Sequence, residues 1–250
     1  MRKIVLASVV LTANLFAMSG YEIAKKSDET VSGFESSIST MQMVMINAAG
    51  QKTVREMKGA TLEKEGGDKS LMEFLSPADV KGTKLLTYQH IDKDDDQWLY
   101  LPALKRIKRI SSRNKTGSFM GSEFSYEDIA AQEVEKYTYP GETVEVPCGD
   151  KTCYKGERIP KDRLSGYTKQ ITWVDKDTFL VQKVEYYDRK GALLKTATFS
   201  DYKKIDGIWR VGKIDMKNQQ NDKETLLIWV DDKVKAGLTD KHFNKRVLKQ

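Results

Sequence analysis

The stretch "QWLYLPALKRIKRISSRNKTGSFMGSEFSYEDI", residues 97–129, decides how the rest of the chain is read. It opens on the alternating Trp98 and Tyr100, breaks at Pro102, and carries six basic residues between Lys105 and Lys115. Phe119, Met120, Phe124 and Tyr126 follow, on a backbone that Gly117 and Gly121 leave free to bend. Two arrangements fit this pattern. Basic residues interleaved with aromatics hold single-stranded nucleic acid. A strand followed by an apolar flap over a hollow gives the same order of residues.

The N-terminus argues against nucleic acid. Residues 1–17, "MRKIVLASVVLTANLFA", place Arg2 and Lys3 before an uncharged run from Ile4 to Phe16, with small and polar residues after it. That is the three-part pattern of a secretory signal peptide, and the run is too short to span a bilayer. The expectation is a leader over 1–17, removed after Ala17, and one exported, soluble domain over 18–250. Without Arg2 and Lys3 the basic count falls from 42 to 40 against 36 acids, a net charge of +4. Charges of both signs are scattered along the chain, which is a solvated surface and not a nucleic-acid footprint.

The two cysteines, Cys148 and Cys153 in "VPCGDKTCY", read as one disulfide across a hairpin in an oxidising compartment. Their spacing is not that of a Cys-x-x-Cys zinc or redox pair, and the two histidines, His90 and His242, are distant in sequence.

Beyond a short helix at "YEIAKKSDET", with Ile23 and Ala24 on one side, the chain reads as about ten short strands separated by turn signals. "FESSISTMQMVMI" ends in "NAAG", "TVREMKGATLEK" in "EGGD", "YTKQITWV" in "DKD" and "TFLVQKVEYY" in "DRKG"; "ALLKTATFSDYKKI" is taken as one strand up to "DG". Short loops make sequential strands antiparallel neighbours, and a single sheet this wide must curl. Met41, Met43 and Met45 alternate on one strand, and Trp98 with Tyr100 and Ile171 with Trp173 repeat at the same period. These stripes are either a filled core or the lining of a ligand cavity, for which the flexible methionine thioether is suited.

Motifs for catalysis and cofactors are absent. There is no zincin pair, nucleophile elbow, Walker loop or dinucleotide fingerprint. "DKDDDQW" puts Asp92, Asp94 and Asp96 at alternate positions, but Gln97 and Ala103 stand where a calcium loop needs its glycine and terminal glutamate. No carboxylate pair is singled out by its spacing, so no enzyme, metal or cofactor is expected.

With those residues in view, "QWLYLPALKRIKRI" followed by "SFMGSEFSYEDI" resembles the outer-membrane lipoprotein-sorting protein family, in its LolA-like branch of larger exported proteins. "FLSPADVKGTKLLTY" (74–88), "FSDYKKIDGIWR" (199–210) and "DKHFNKRVL" (240–248) extend the resemblance over nearly the whole mature chain. It implies a mainly β fold, an incomplete and strongly curved antiparallel β-barrel with helices and loops over its concave side. It also implies a periplasmic carrier or chaperone for lipids or lipoprotein acyl chains, and no catalytic residues. The alternative is a non-enzymatic accessory subunit of an inner-membrane exporter of the RND type; an envelope hydrolase ranks last.

On this reading Met41, Met43, Met45, Trp98, Tyr100, Phe119, Met120, Phe124, Tyr126 and Trp173 are the candidates for the hollow or its cover. The aromatic loop 119–126 is either a movable cover or a permanent plug. Lys105, Arg106, Lys108 and Arg109 are either a solvated face or a docking site for an acidic permease surface or lipid headgroups.

Overall fold

Alternating apolar positions form strands where the turn residues predict them, and the computed structural model describes residues 18–130 and 133–250. The leader expected over residues 1–17 lies outside the described residues. The first element is α1 (Gly20–Val31), begun by a reciprocal cap in which Ser19 Oγ accepts from the Glu22 N–H and Glu22 accepts from the Ser19 N–H. A meander follows: β1 (Ser36–Ile46), β2 (Lys52–Leu62), β3 (Lys69–Ser76), β4 (Lys84–Tyr88), β5 (Asp96–Leu101) and β6 (Arg106–Ile110). The loop after β6 carries the one-turn α2 (Tyr126–Ile129). Then come β7 (Tyr137–Thr138), β8 (Val144–Cys148), β9 (Lys151–Pro160), β10 (Lys169–Asp175), β11 (Val181–Tyr187) and β12 (Leu193–Ser200). The last strands are β13 (Lys203–Ile205), β14 (Ile208–Arg210), β15 (Lys213–Asn218) and β16 (Glu224–Val234).

Fourteen of these strands form one antiparallel sheet in the order β6-β5-β4-β3-β2-β1-β16-β15-β12-β11-β10-β9-β7, with β8 paired to β9. The sheet is open. Its two halves are joined by the long β1–β16 pairing, from Ser37↔Val234 to Ile46↔Glu224, with a bulge at Thr40/Met41. The architecture is the incomplete, curved barrel that the resemblance implied.

Two sequence expectations are refined. "RIKRI" is a strand, the edge strand β6, on which charged residues discourage pairing with another sheet. "ALLKTATFSDYKKI" divides into β12 and β13, because Asp201 turns into the left-handed region at φ 55°. Gly212 permits this: a Cβ there would sit 2.3 Å from the Asp201 carbonyl oxygen. The β13–β14 hairpin thereby leaves the main sheet and packs against α1.

Cys148 and Cys153 form a disulfide across the β8–β9 hairpin, whose turn is Gly149–Asp150. The convex face of β2–β6 is sealed by the C-terminal segment, where Phe243 and Leu248 pack fully buried against Leu86 and Trp98. Tyr88 Oη donates to the Phe243 carbonyl, and Lys64 and Lys69 both pair with Asp240. Among the described residues no helix is long and apolar enough to cross a membrane.

Removing the Phe243 ring empties the centre of that seal. Phe243→Ala should cost about 3–5 kcal/mol in chemical denaturation, whereas Leu104→Ala, at a site 62% exposed, should change stability by less than about 0.5 kcal/mol.

Candidate functional site

Side chains facing the same way on neighbouring strands line up into rows across the concave face. One row runs Phe74, Met57, Met41, Trp229 from β3 to β16. Another runs Met45, Thr225, Met216, Ala197, Val184, Thr172, Gly156 from β1 to β9. Beyond Met216 the second row has no side chain larger than valine. The half built on β1–β5 is filled by methionine and phenylalanine, and on β9–β12 this row carries only small groups. The sheet therefore leaves unfilled space beneath β9–β12, β15 and β16, which reaches Thr61, Ser70 and Met72 of β2 and β3.

The filled half is completed by the loop after β6. Phe119 and Phe124 are 0% and 3% exposed, and both belong to the main core with Met41, Met43, Met57 and Phe74. The Phe119 ring lies 5.7 Å from Phe74 and 5.5 Å from Tyr126. The loop reverses at Phe119–Ser122, where Met120 and Gly121 both have positive φ and the Ser122 N–H donates to the Phe119 carbonyl. Two left-handed central residues make a tight hairpin turn, which glycine at the second position permits. Phe119 N–H to the Phe124 carbonyl and Tyr126 N–H to the Gly117 carbonyl close the arms.

Buried polar contacts then fix this loop to the sheet. Lys195 Nζ of β12 lies 2.5 Å from Asp128 Oδ2 and 2.9 Å from the Glu123 carbonyl, with both charged side chains almost completely buried. Tyr167 Oη donates to Asp128 Oδ1 at 2.7 Å, and Ser125 donates to Asp128 while capping α2. Arg55 reaches the Met120 carbonyl at 2.6 Å. Glu127 accepts from Ser165 and from the Gly166 N–H, and burial raises its pKa ahead of those stabilising bonds. Of the two readings of residues 119–126, the plug accounts for this packing.

The open half is a cavity of about 510 Å³. Its floor is Val174, Val184, Ala197, Met216 and Leu227; Phe199, Trp209 and Trp229 form one wall, and Phe124 with Ile129 closes the end at the plug. Its roof is α1, through Ile23, Ala24 and Val31. What holds α1 is lighter than what holds the plug. Lys25 meets Glu135 at 3.3 Å with both about a third exposed, Tyr21 packs edge-on to Tyr139, and Lys26 lies over the Phe179 ring. The element placed to cover the hollow is therefore α1, whose amphipathic pattern was legible in Ile23 and Ala24 but whose role was not.

At one end the cavity meets carboxylates. Asp28 and Asp68 line it, and Glu63 and Glu133 join them in the adjoining recess. Burial pushes Asp68 up to about 6, with Glu63 and Asp28 adding to the rise and the Lys64 N–H opposing it. Glu133 is pushed up to about 7 by burial, then by the charges of Asp68 and Asp28, against Lys136. Among the described residues no group of His, Cys, Asp and Glu side chains is arranged to hold a metal ion.

The sequence candidates separate across this frame. Met41 and Met43 are buried core, and Met45 and Met120 pack at its margin. Phe124 alone of the candidates lines the cavity, and Tyr126 lies over the recess on the far side of α2. Trp98 and Tyr100 face the convex side, against the C-terminal segment. Trp173 also points outward, with Lys183 and Lys155 at 3.6 and 5.1 Å from its ring; its neighbours Thr172 and Val174 face the cavity. Alternation identified these stripes without saying which face was concave. Lys105, Arg106 and Lys108 are exposed on or beside β6, and Arg109 pairs with Asp96 at 2.5 Å.

The chain is similar to a Vibrio parahaemolyticus domain described as an outer membrane lipoprotein-sorting protein, at 48% identity and TM-score 0.89, covering 92% of this chain and 98% of that one. It is also similar to a DUF1329 family protein from Desulfovibrio piger, at 35% identity and TM-score 0.86, covering 92% and 97%. The chain belongs to the outer-membrane lipoprotein-sorting protein family. A LolA superfamily protein from Nitrosomonas europaea, 23% identical with TM-score 0.75 over 92% and 100% of the two chains, shares the fold. A family model described as an uncharacterized protein matches residues 66–250. No curated protein matches the chain.

Two measurements test the site as built. Phe119→Ala should destabilise the fold by about 3–5 kcal/mol, as a core ring does; a melting temperature left unchanged would return the loop to the role of a movable cover. The carboxylates give a pH signature. Folded values above the ordinary carboxylate range mean that the fold holds these protons more tightly than the unfolded chain. Their contribution is complete below about pH 4 and is lost as pH rises to about 6 for Asp68 and about 7 for Glu133. Asp68→Asn with Glu133→Gln should raise stability at pH 8 by on the order of 1–2 kcal/mol, after allowance for solvent screening. That gain should vanish towards pH 4 in thermal melts.

Proposed function

We propose that this chain is a non-enzymatic periplasmic carrier that holds acyl chains of a lipid or lipoprotein in the hollow beneath α1. The observation that carries the reading is an open, mainly apolar cavity of about 510 Å³ in the same half-barrel as a 48%-identical lipoprotein-sorting domain. Its size falls within the range of roughly 300–1,000 Å³ common to small-ligand sites.

The energetics suit a carrier. Exposing an acyl chain of about fifteen methylenes to water costs on the order of 12 kcal/mol at roughly 0.8 kcal/mol each. A carrier must offset most of this and still release the chain. A rigid floor of Val184, Ala197 and Met216 supplies apolar contact, and a lightly anchored α1 supplies a way out.

An accessory subunit that used the fold only as a protein-binding module would need no such space, and a bulky side chain in it would favour that role. The plug fills one half of the barrel, while under α1 the row Ala197, Val184, Thr172 and Gly156 leaves space between the aromatic walls of the cavity. The relatives above give no support to an RND-type permease as partner. The two histidines serve local structure: His90 pairs with Asp96 and His242 caps the turn at Thr239.

Native mass spectrometry of protein purified from periplasm without detergent, with lipid extraction of the same sample, tests the reading. A co-purifying lipid or acylated protein is expected. Thr172→Phe, which grows a ring from the floor into the cavity, should abolish that retention with the melting temperature within a few degrees of wild type. An apo mass for the wild type, with no uptake of phospholipid or acyl peptide, would overturn the carrier in favour of the accessory role.

A further inference from the structure

On the outer side of the plug lies an open groove of about 670 Å³ bordered by Arg113, Arg163, Arg189 and Lys190. All four are exposed. Among the described residues none of their side chains has an ion pair or hydrogen bond. Two carboxylates share the groove, and each is already engaged. Glu123 accepts from Asn218 Nδ2 at 2.7 Å, and Asp188 from Gln220 Nε2 at 2.9 Å and from the Lys190 and Ala192 N–H groups. At the floor, Lys195 is neutralised by Asp128, and the hydroxyls of Ser122, Ser125 and Ser165 are buried. Four cations with no ion pair among the described residues, against two carboxylates, leave the groove with an excess charge of +2. On its rim, beside Arg163, Leu164 is 45% exposed.

Guanidinium groups match phosphate oxygens in pairs, and an apolar side chain among cations suits the boundary between headgroups and acyl chains. We propose that this groove seats the protein on an anionic lipid surface, with headgroup phosphates among Arg113, Arg163, Arg189 and Lys190 and Leu164 entering the interface. The edge strand β6 is less suited to this, since Arg109 is paired and strand alternation sends Arg106 and Lys108 to the opposite face from it. The placement has a consequence for the hollow. Phe124 borders both the groove and the cavity, so a bound membrane lies one buried ring away from the cavity's end.

The experiment is co-sedimentation of the full-length mature protein with vesicles of phosphatidylglycerol or of phosphatidylcholine. Binding to the first and not the second, reversed by high salt, is expected. Each cation neutralised should weaken binding about fivefold, so that R113Q/R163Q/R189Q/K190Q no longer sediments, and L164S should weaken it further. All five side chains are exposed, so the variants should melt within a few degrees of the wild type. Equal binding to both lipids, unchanged binding of the quadruple variant, or loss of binding in K105Q/R106Q/K108Q instead would each overturn the proposal. Lipid retained from periplasm by the quadruple variant is measured in parallel, which keeps a failure of docking distinct from a failure of the carrier reading.

Discussion

The ion pair between Lys195 and Asp128 is the contact on which the arrangement of the barrel depends. Both groups are nearly inaccessible to water, and a buried charge left without its partner costs several kcal/mol. Here each is satisfied: Lys195 also donates to the Glu123 carbonyl, and Asp128 also accepts from Tyr167 and from the Ser125 backbone and hydroxyl. Pulling the loop away would strand both charges. Phe119 and Phe124 are thereby packed into the core, with Met120 and Tyr126 at its margin.

The cavity under α1 exists because of side-chain size. Across β15, β12, β11, β10 and β9 the residues in register are Met216, Ala197, Val184, Thr172 and Gly156. A close-packed interior normally compensates for small residues on one element with large ones on its neighbour. Here the facing element is α1, which offers Ile23, Ala24 and Val31 from a helix held mainly by exposed contacts. One half of the barrel is thus closely filled and the other holds the cavity.

Much of this could be read before the fold was known. The strand pattern, the hairpin disulfide and a short helix at "YEIAKKSDET" follow from alternation, turn residues, cysteine spacing and the apolar side of Ile23 and Ala24. The aromatic loop was recognisable as apolar, but its two roles could not be separated, because the residues that decide between them, Lys195, Tyr167 and Arg55, are remote in sequence from Phe119. Trp98, Tyr100 and Trp173 were drawn towards the hollow for the same reason. Period-two alternation places side chains on one face of a strand without saying whether that face is concave or convex, and here they lie outside, under the C-terminal segment and beneath Lys183.

The sequence by itself determined the antiparallel character of the sheet, the positions of its turns and its membership of a half-barrel family, since these depend on neighbours along the chain and on a recognisable central block. Only the tertiary structure decided which end of the barrel is filled and which element covers the rest. Those outcomes are set by residues brought into register across seven strands, and by one charge pair between β12 and a loop more than sixty positions away. Volume and burial at such junctions are sums over distant residues, which no local pattern carries.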